Sequence, residues 1–155
     1  MSSIKIATIN IFKDPNSKFK DAIESSIANN VDILCLQESC NCLKLKNFYE
    51  IYTKGPSSSE QLSLFINKKS NWTVDKWNLE ENKTLITGKC ETQRWNFITT
   101  LNHKTQKGLK IKIGNIHLCG GRWDESKLNK STLEDITKIK TEILTKMIKE
   151  HTDII

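Results

Sequence analysis

Two short apolar runs, joined by a connection of helix length, constrain this chain more than any other feature. They are Ile4-Lys5-Ile6-Ala7-Thr8-Ile9-Asn10 and Val31-Asp32-Ile33-Leu34-Cys35-Leu36-Gln37-Glu38. Between them, Asp14-Pro15 supplies a helix N-cap followed by proline at the first helical position. Phe19, Ala22, Ile23 and Ile27 then recur at three- and four-residue spacing, which predicts an amphipathic helix to about Asn30. A strand–helix–strand unit of this kind brings its strands side by side and parallel. Both strands then end at one edge of the sheet, where ligands of open α/β sheets bind. Asn10 and Glu38 are the residues at those ends.

The rest of the chain reads less regularly. Gly55-Pro56-Ser57-Ser58-Ser59 is a loop, and Leu62, Leu64 and Ile66 alternate with polar residues as a half-buried strand. Trp72, Val74 and Trp77 suggest another. Asn96 to Leu101 and Leu109 to Leu118 form a hairpin around Gln106-Lys107-Gly108, with strict alternation in Lys110-Ile111-Lys112-Ile113. After Gly120-Gly121, a long helix is expected from about Asp124 to about Glu150. Its apolar face is Leu128, Leu133, Ile136, Ile139, Ile143, Met147 and Ile148. Asp153-Ile154-Ile155 reads as the start of a further strand.

Length and composition set the outer bounds. The 155 residues suit a single domain, taken as 1–155. Lys and Arg outnumber Asp and Glu by 24 to 18, a net charge of +6 that suits a polyanionic partner such as nucleic acid. Of those cations 22 are lysine, which weakens the inference because lysine enrichment also follows genome composition. No signal-peptide h-region and no membrane-spanning run occur, so no membrane anchor is expected. The five cysteines, Cys35, Cys40, Cys42, Cys90 and Cys119, are odd in number and irregularly spaced. They read as reduced thiols of an intracellular protein, in cytoplasm or nucleus.

Three residues could carry chemistry together. A hard cation such as Mg²⁺ takes one or two protein carboxylates and keeps its other positions for water and phosphate oxygens, which suits Glu38. Taken alone, a Glu at this place is more often the solvated start of a loop, and Asn10 a turn amide. His117, in Asn115-Ile116-His117-Leu118, can donate to a phosphoryl oxygen or transfer a proton near neutral pH. The bland alternative is a satisfied structural histidine. Gly120-Gly121-Arg122 leaves backbone room and offers a guanidinium for phosphate. A zinc site from Cys35, Cys40, Cys42 and His103 lacks the paired spacing zinc requires. No G-x-S-x-G elbow supports a serine nucleophile.

These elements, in this order, resemble the endonuclease/exonuclease/phosphatase superfamily, the group of deoxyribonuclease I. Ala7-Thr8-Ile9-Asn10 matches its opening strand, with Ile9 where the family often has Trp. Asp32-Ile33-Leu34-Cys35-Leu36-Gln37-Glu38 matches its Gln-Glu strand. Asn115-Ile116-His117-Leu118 matches its Asn-Thr-His-Leu strand, with Ile116 replacing Thr.

The resemblance implies an α/β fold, the N-terminal half of a four-layer α/β/β/α sandwich with a mixed sheet and helices on one face. It implies a metal-dependent phosphoesterase acting on phosphodiester bonds, with nucleic acid or another phosphate ester as substrate. Glu38 and Asn10 would bind Mg²⁺, or Mn²⁺ in its place. Asn10, Glu38 and His117 would be the catalytic set, with Asn115 and Arg122 at the substrate phosphate. The family's Gly-Asp-Phe-Asn strand and its closing Asp-His pair have no counterpart here. The chain is therefore expected to be a truncated domain, inactive alone and needing its C-terminal half in cis or in trans. One sheet face is expected to lack its cover. The alternatives are a non-catalytic nucleic-acid or protein binding module, or an inositol or lipid phosphatase of the same superfamily.

Overall fold

The strand–helix–strand unit forms, and it is parallel. In the computed structural model, β1 (Ile6–Asn10) pairs with β2 (Ile33–Ser39) in register from Ile6↔Ile33 to Asn10↔Gln37. The structure describes residues 3–11, 17–27, 30–39, 43–54, 61–86 and 90–116, and helical positions at 134, 137, 138, 141, 142, 144–146, 148 and 149. The connecting helix α1 spans Ser17–Ser26. Ile27 N still donates to Ile23 O at 3.0 Å, and Asn30 N closes a turn on Ile27 O at 2.9 Å. Ile23 is buried and Ile27 half-buried, whereas Ala22 is exposed. Of the three described apolar positions of that face, Ile23 and Ile27 pack inward and Ala22 does not. The expected cap at Asp14-Pro15 lies outside the described residues.

Two sheets follow from the pairing. The first has the order β1-β2-β4-β3, with β3 at Phe48–Lys54 and β4 at Gln61–Asn67, both antiparallel to their neighbours. The second has the order β5-β6-β7: Trp72–Ile86, Cys90–His103 and Lys110–Ile116. The expected hairpin around Gln106-Lys107-Gly108 joins β6 to β7. Gly108 supplies the turn's left-handed residue at φ 84°.

The first sheet is covered on both faces. On one, Leu34, Leu36 and Phe65 pack with Ile11, Ile23 and Phe48; Phe48 meets Phe65 edge to face at 6.5 Å. On the other, Ile33, Cys35, Leu62, Leu64 and Ile66 pack against Trp72, Phe97, Leu101 and Ile113 of the second sheet. This corrects two expectations. The sheet face thought to lack a cover receives it from β5, β6 and β7 of the same chain. All seven residues of β4 are buried rather than half of them, because Phe65 fills the helix side while Leu62, Leu64 and Ile66 fill the inter-sheet side. The fold is therefore α/β with two facing sheets and a helix outside the first.

Three elements depart from the sequence reading, and β3, which that reading did not include, shifts register against β4 between Glu50 and Tyr52. Strands β5 and β6 run far beyond their apolar segments, pairing from Trp72↔His103 to Ile86↔Cys90. The described positions between 134 and 149 are helical, as expected, but Ile148 is 62% exposed rather than part of a buried face. Leu128, Leu133, Ile136, Ile139, Ile143, Met147 and the Asp153-Ile154-Ile155 strand lie outside the described residues. Among the described residues no helix is long and apolar enough to cross a membrane.

Candidate active site

Each strand that reaches one corner of the molecule changes from apolar to polar along its inner face. In β1 and the residues before it, Ile4 and Ile6 belong to the inter-sheet core, and the same alternation continues to Thr8 and Asn10. In β2 the row is Ile33, Cys35, Gln37. In β7 it is Ile111, Ile113, Asn115. The apolar residues anchor the strands, and the polar ones meet beyond them at the carboxyl ends of β1 and β2.

They meet through hydrogen bonds. Gln37 Nε2 donates to Thr8 Oγ1 at 2.9 Å and to Asn115 Oδ1 at 2.6 Å. Asn10 Nδ2 donates to Glu38 Oε1 at 3.1 Å. The register makes this pairing inevitable: Asn10 stands opposite Gln37, so the next residue, Glu38, lies just past the β1 end. Ile11 N donates to Gln37 O at 3.1 Å and extends the contact by one residue. Asn10 is exposed and Glu38 half-buried, so the amide–carboxylate pair lies at the surface of the corner.

Glu38 is not in ordinary strand conformation. Its φ is 51°, in the left-handed region, and it is the one non-glycine residue with positive φ among those described. The ladder between β2 and β4 shifts at the same place, between Leu36 and Ser39. A glutamate in that conformation is disfavoured by about 1–3 kcal/mol, and such residues cluster at ligand and active sites.

The corner thus brings together two of the expected site residues, Asn10 and Glu38. Asn115 joins them from below rather than at the surface. It is 1% exposed, and its Nδ2 donates to Leu36 O at 3.1 Å and Ser63 O at 3.0 Å. With Oδ1 accepting from Gln37, its amide is turned inward, which does not place it at a substrate phosphate. His117 and Arg122 lie outside the described residues. The sequence reading gave no role to Thr8, Ser39 or Ser63, and none to Gln37 beyond its place in the Gln-Glu motif. The signal for Thr8 and Gln37 was a polar residue standing where the next apolar one of an alternating row belongs.

The donor chemistry of the corner suits a hard cation. A carboxylate and an amide offer oxygen, and Mg²⁺ needs few protein ligands. Among the described residues no three His, Cys, Asp or Glu side chains come together. Cys35 and His103 accordingly form no zinc cluster there. Cys35 is a free thiol buried between the sheets, and burial pushes its pKa up to about 12. Cys40, Cys42 and Cys119 lie outside the described residues. The lysines of the turns at the other end of the first sheet, Lys5, Lys46, Lys68 and Lys69, are away from Glu38. The net positive charge therefore does not by itself point to this corner.

No family model and no curated protein matches this chain. Among solved structures, an endonuclease/exonuclease/phosphatase from Bacteroides vulgatus is similar, with a TM-score of 0.62 and 16% sequence identity. The match covers 95% of this chain and 62% of that one. At that identity the likeness is one of fold alone. The chain spans less than two thirds of that neighbour's length.

Proposed function

We propose that this chain carries one wall of a metal-dependent phosphoesterase site, centred on Glu38 and Asn10. One observation carries the reading: two parallel strands place an amide and a carboxylate 3.1 Å apart at their carboxyl ends, with the carboxylate on a left-handed residue. The shared fold with a structure of the endonuclease/exonuclease/phosphatase group supports the same class of hydrolase.

Glu38 and Asn10 would hold Mg²⁺, with Mn²⁺ as a substitute. Bound there, the cation would neutralise charge on a phosphate ester. The Asn10 amide holds the Glu38 carboxylate by its N–H and keeps it from swinging into solvent. His117, two residues beyond Asn115 in sequence, would donate a hydrogen bond or a proton to the phosphoryl group. Arg122 would bind phosphate through its guanidinium. The substrate class is a phosphodiester, with nucleic acid favoured by overall charge. Groups that activate the attacking water would come from residues other than Asn10 and Glu38, in cis or in a second chain.

Titration of the chain with Mg²⁺, followed by calorimetry, tests the site directly. Glu38→Ala should weaken Mg²⁺ binding by more than about tenfold. Unchanged affinity removes Glu38 from the site. The same titration in the presence of a single-stranded oligonucleotide separates an enzyme from a simple nucleic-acid binder. A binder would hold the strand equally well with chelator present and lose it steeply with salt.

A further inference from the structure

We propose that Asn115 is the positioning residue for Glu38: from the second sheet it clamps the bulge that presents the carboxylate. The inference rests on the reading of Glu38 as a site carboxylate only where metal binding is concerned; the backbone argument stands apart from it.

The bulge is of the two-against-one kind. Leu36 pairs with Ser63 and Ser39 with Gln61, so Gln37 and Glu38 together face Leu62 alone. Such an insertion interrupts the ladder locally. Asn115 spans the interruption from β7. Its two N–H groups reach Leu36 O and Ser63 O, one carbonyl on each strand at the point where the ladder breaks. Its oxygen accepts from Gln37, the first residue of the bulge. A primary amide combines two donors and an acceptor in one plane, and all three functions are used here. No other side chain as short as asparagine's offers that set.

The far side of the bulge is fastened separately. Ser39 Oγ lies 2.5 Å from Ser63 Oγ and donates to Gln61 O at 3.1 Å. Glu38 is therefore the residue between two fixed points, Gln37 tied to Asn115 and Ser39 tied to Ser63. A left-handed glutamate persists only when its surroundings over-determine it. The clamp supplies the determination on the entry side, and Gln37 passes it to Thr8 and so to β1, which carries Asn10.

Amide hydrogen exchange and Mg²⁺ titration on Asn115→Asp, Asn115→Ala and Ile113→Val test this. Asn115→Asp keeps the shape and removes both donors. Ile113→Val trims the same inner row without touching the clamp. Exchange at Ile11, whose N–H is bonded to Gln37 O, should quicken about fivefold or more in both Asn115 variants, the effect of one lost hydrogen bond. Exchange at His103, bonded to Leu109 O at the opposite end, should change far less. Mg²⁺ affinity should fall roughly 10–100-fold, the usual effect of losing a group that orients a metal ligand. Ile113→Val should leave the ratio of the two exchange rates and the Mg²⁺ affinity as they are. Equal acceleration at Ile11 and His103 overturns the proposal, since Asn115 would then be general packing. If neither Asn115 variant folds, Gln37→Met should reproduce the local effect at smaller size, and no change at Ile11 there overturns it too. An unmutated chain that binds no Mg²⁺ refutes the metal reading of Glu38 while the exchange ratio still decides the clamp.

Discussion

The two ends of the first sheet are built from the same strands and settled in opposite ways. At the end away from Glu38, the bonds run to or from backbone groups of the turns: Asp32 N on Lys5 O, Asn67 N on Asp32 O, Lys68 N on Asn47 O and Lys104 N on Asn71 O, with Lys5 N on Asp32 Oδ2 and Asn67 Nδ2 on Val31 O beside them. Lys104 Nζ also reaches Ser70 O. A cleft of about 470 Å³ opens there among Lys5, Asp32, Asn47, Asn67, Lys69 and Ser70. At the other end, side chains from strands distant in sequence bond to each other, and one residue is held in a disfavoured conformation. The contrast separates an end that consolidates the sandwich from an end that spends stability on holding a carboxylate in place.

The largest expected effect belongs to the consolidating end. Trp72 is buried where β5 begins and meets His103 edge to face at 5.0 Å. Trp72→Ala should cost about 3–5 kcal/mol in urea unfolding. A loss below about 1 kcal/mol would show that this end does not hold the sheets together. The next effect has the opposite sign. Glu38→Gly removes the left-handed penalty of about 1–3 kcal/mol, against which stand the lost bond from Asn10 and the greater entropy of an unfolded glycine, for a net gain of up to about 1 kcal/mol. A clear loss of stability in that variant would mean that the corner is not strained, and the contrast between the ends would collapse.

The effect that is smallest at neutral pH lies between the ends, in the titration of Cys35. Its folded pKa of about 12 stands above the value near 8.5 of an unfolded thiol. The folded state therefore keeps a proton that the unfolded state loses. Stability from this source is complete below the unfolded pKa and is lost as pH rises toward 12. Cys35→Ala should flatten the alkaline fall of stability above about pH 9. Identical alkaline slopes in the two proteins would contradict burial of the thiol.

The sequence announced the corner better than it announced the sheets. Ile33-Leu34-Cys35-Leu36 reads as a buried strand because both its faces are covered, and its polar ending stands out against that run. Gln61-Leu62-Ser63-Leu64-Phe65-Ile66-Asn67 conceals the same burial, since Ser63 inside a covered face looks like a solvent-facing residue. Its hydroxyl is satisfied by Ser39, a partner that appears only once β2 and β4 have paired. Strands β5 and β6 extend through Glu80-Glu81-Asn82-Lys83-Thr84 and Glu91-Thr92-Gln93-Arg94, where polarity gives no period and the backbone ladder alone reveals the strand. Asn115 was legible as a polar residue ending an alternating row, but its inward hydrogen bonds were not. Its motif shows the amide; its neighbours Leu36 O and Ser63 O belong to strands far away in the chain.

The bulge at Gln37-Glu38 also changes the frame of β2. Up to Leu36, odd-numbered residues look toward the second sheet and even-numbered ones toward the helix, as Ile33 and Cys35 against Leu34 and Leu36 show. After it, Ser39 bonds to Ser63, which shares the helix side with Phe65. Without the added residue, simple counting would send Glu38 into the layer under the helix and Ser39 into the layer between the sheets. One residue of slippage lets two adjacent side chains do unlike things: Gln37 is tied inward, and Glu38 is carried to the rim.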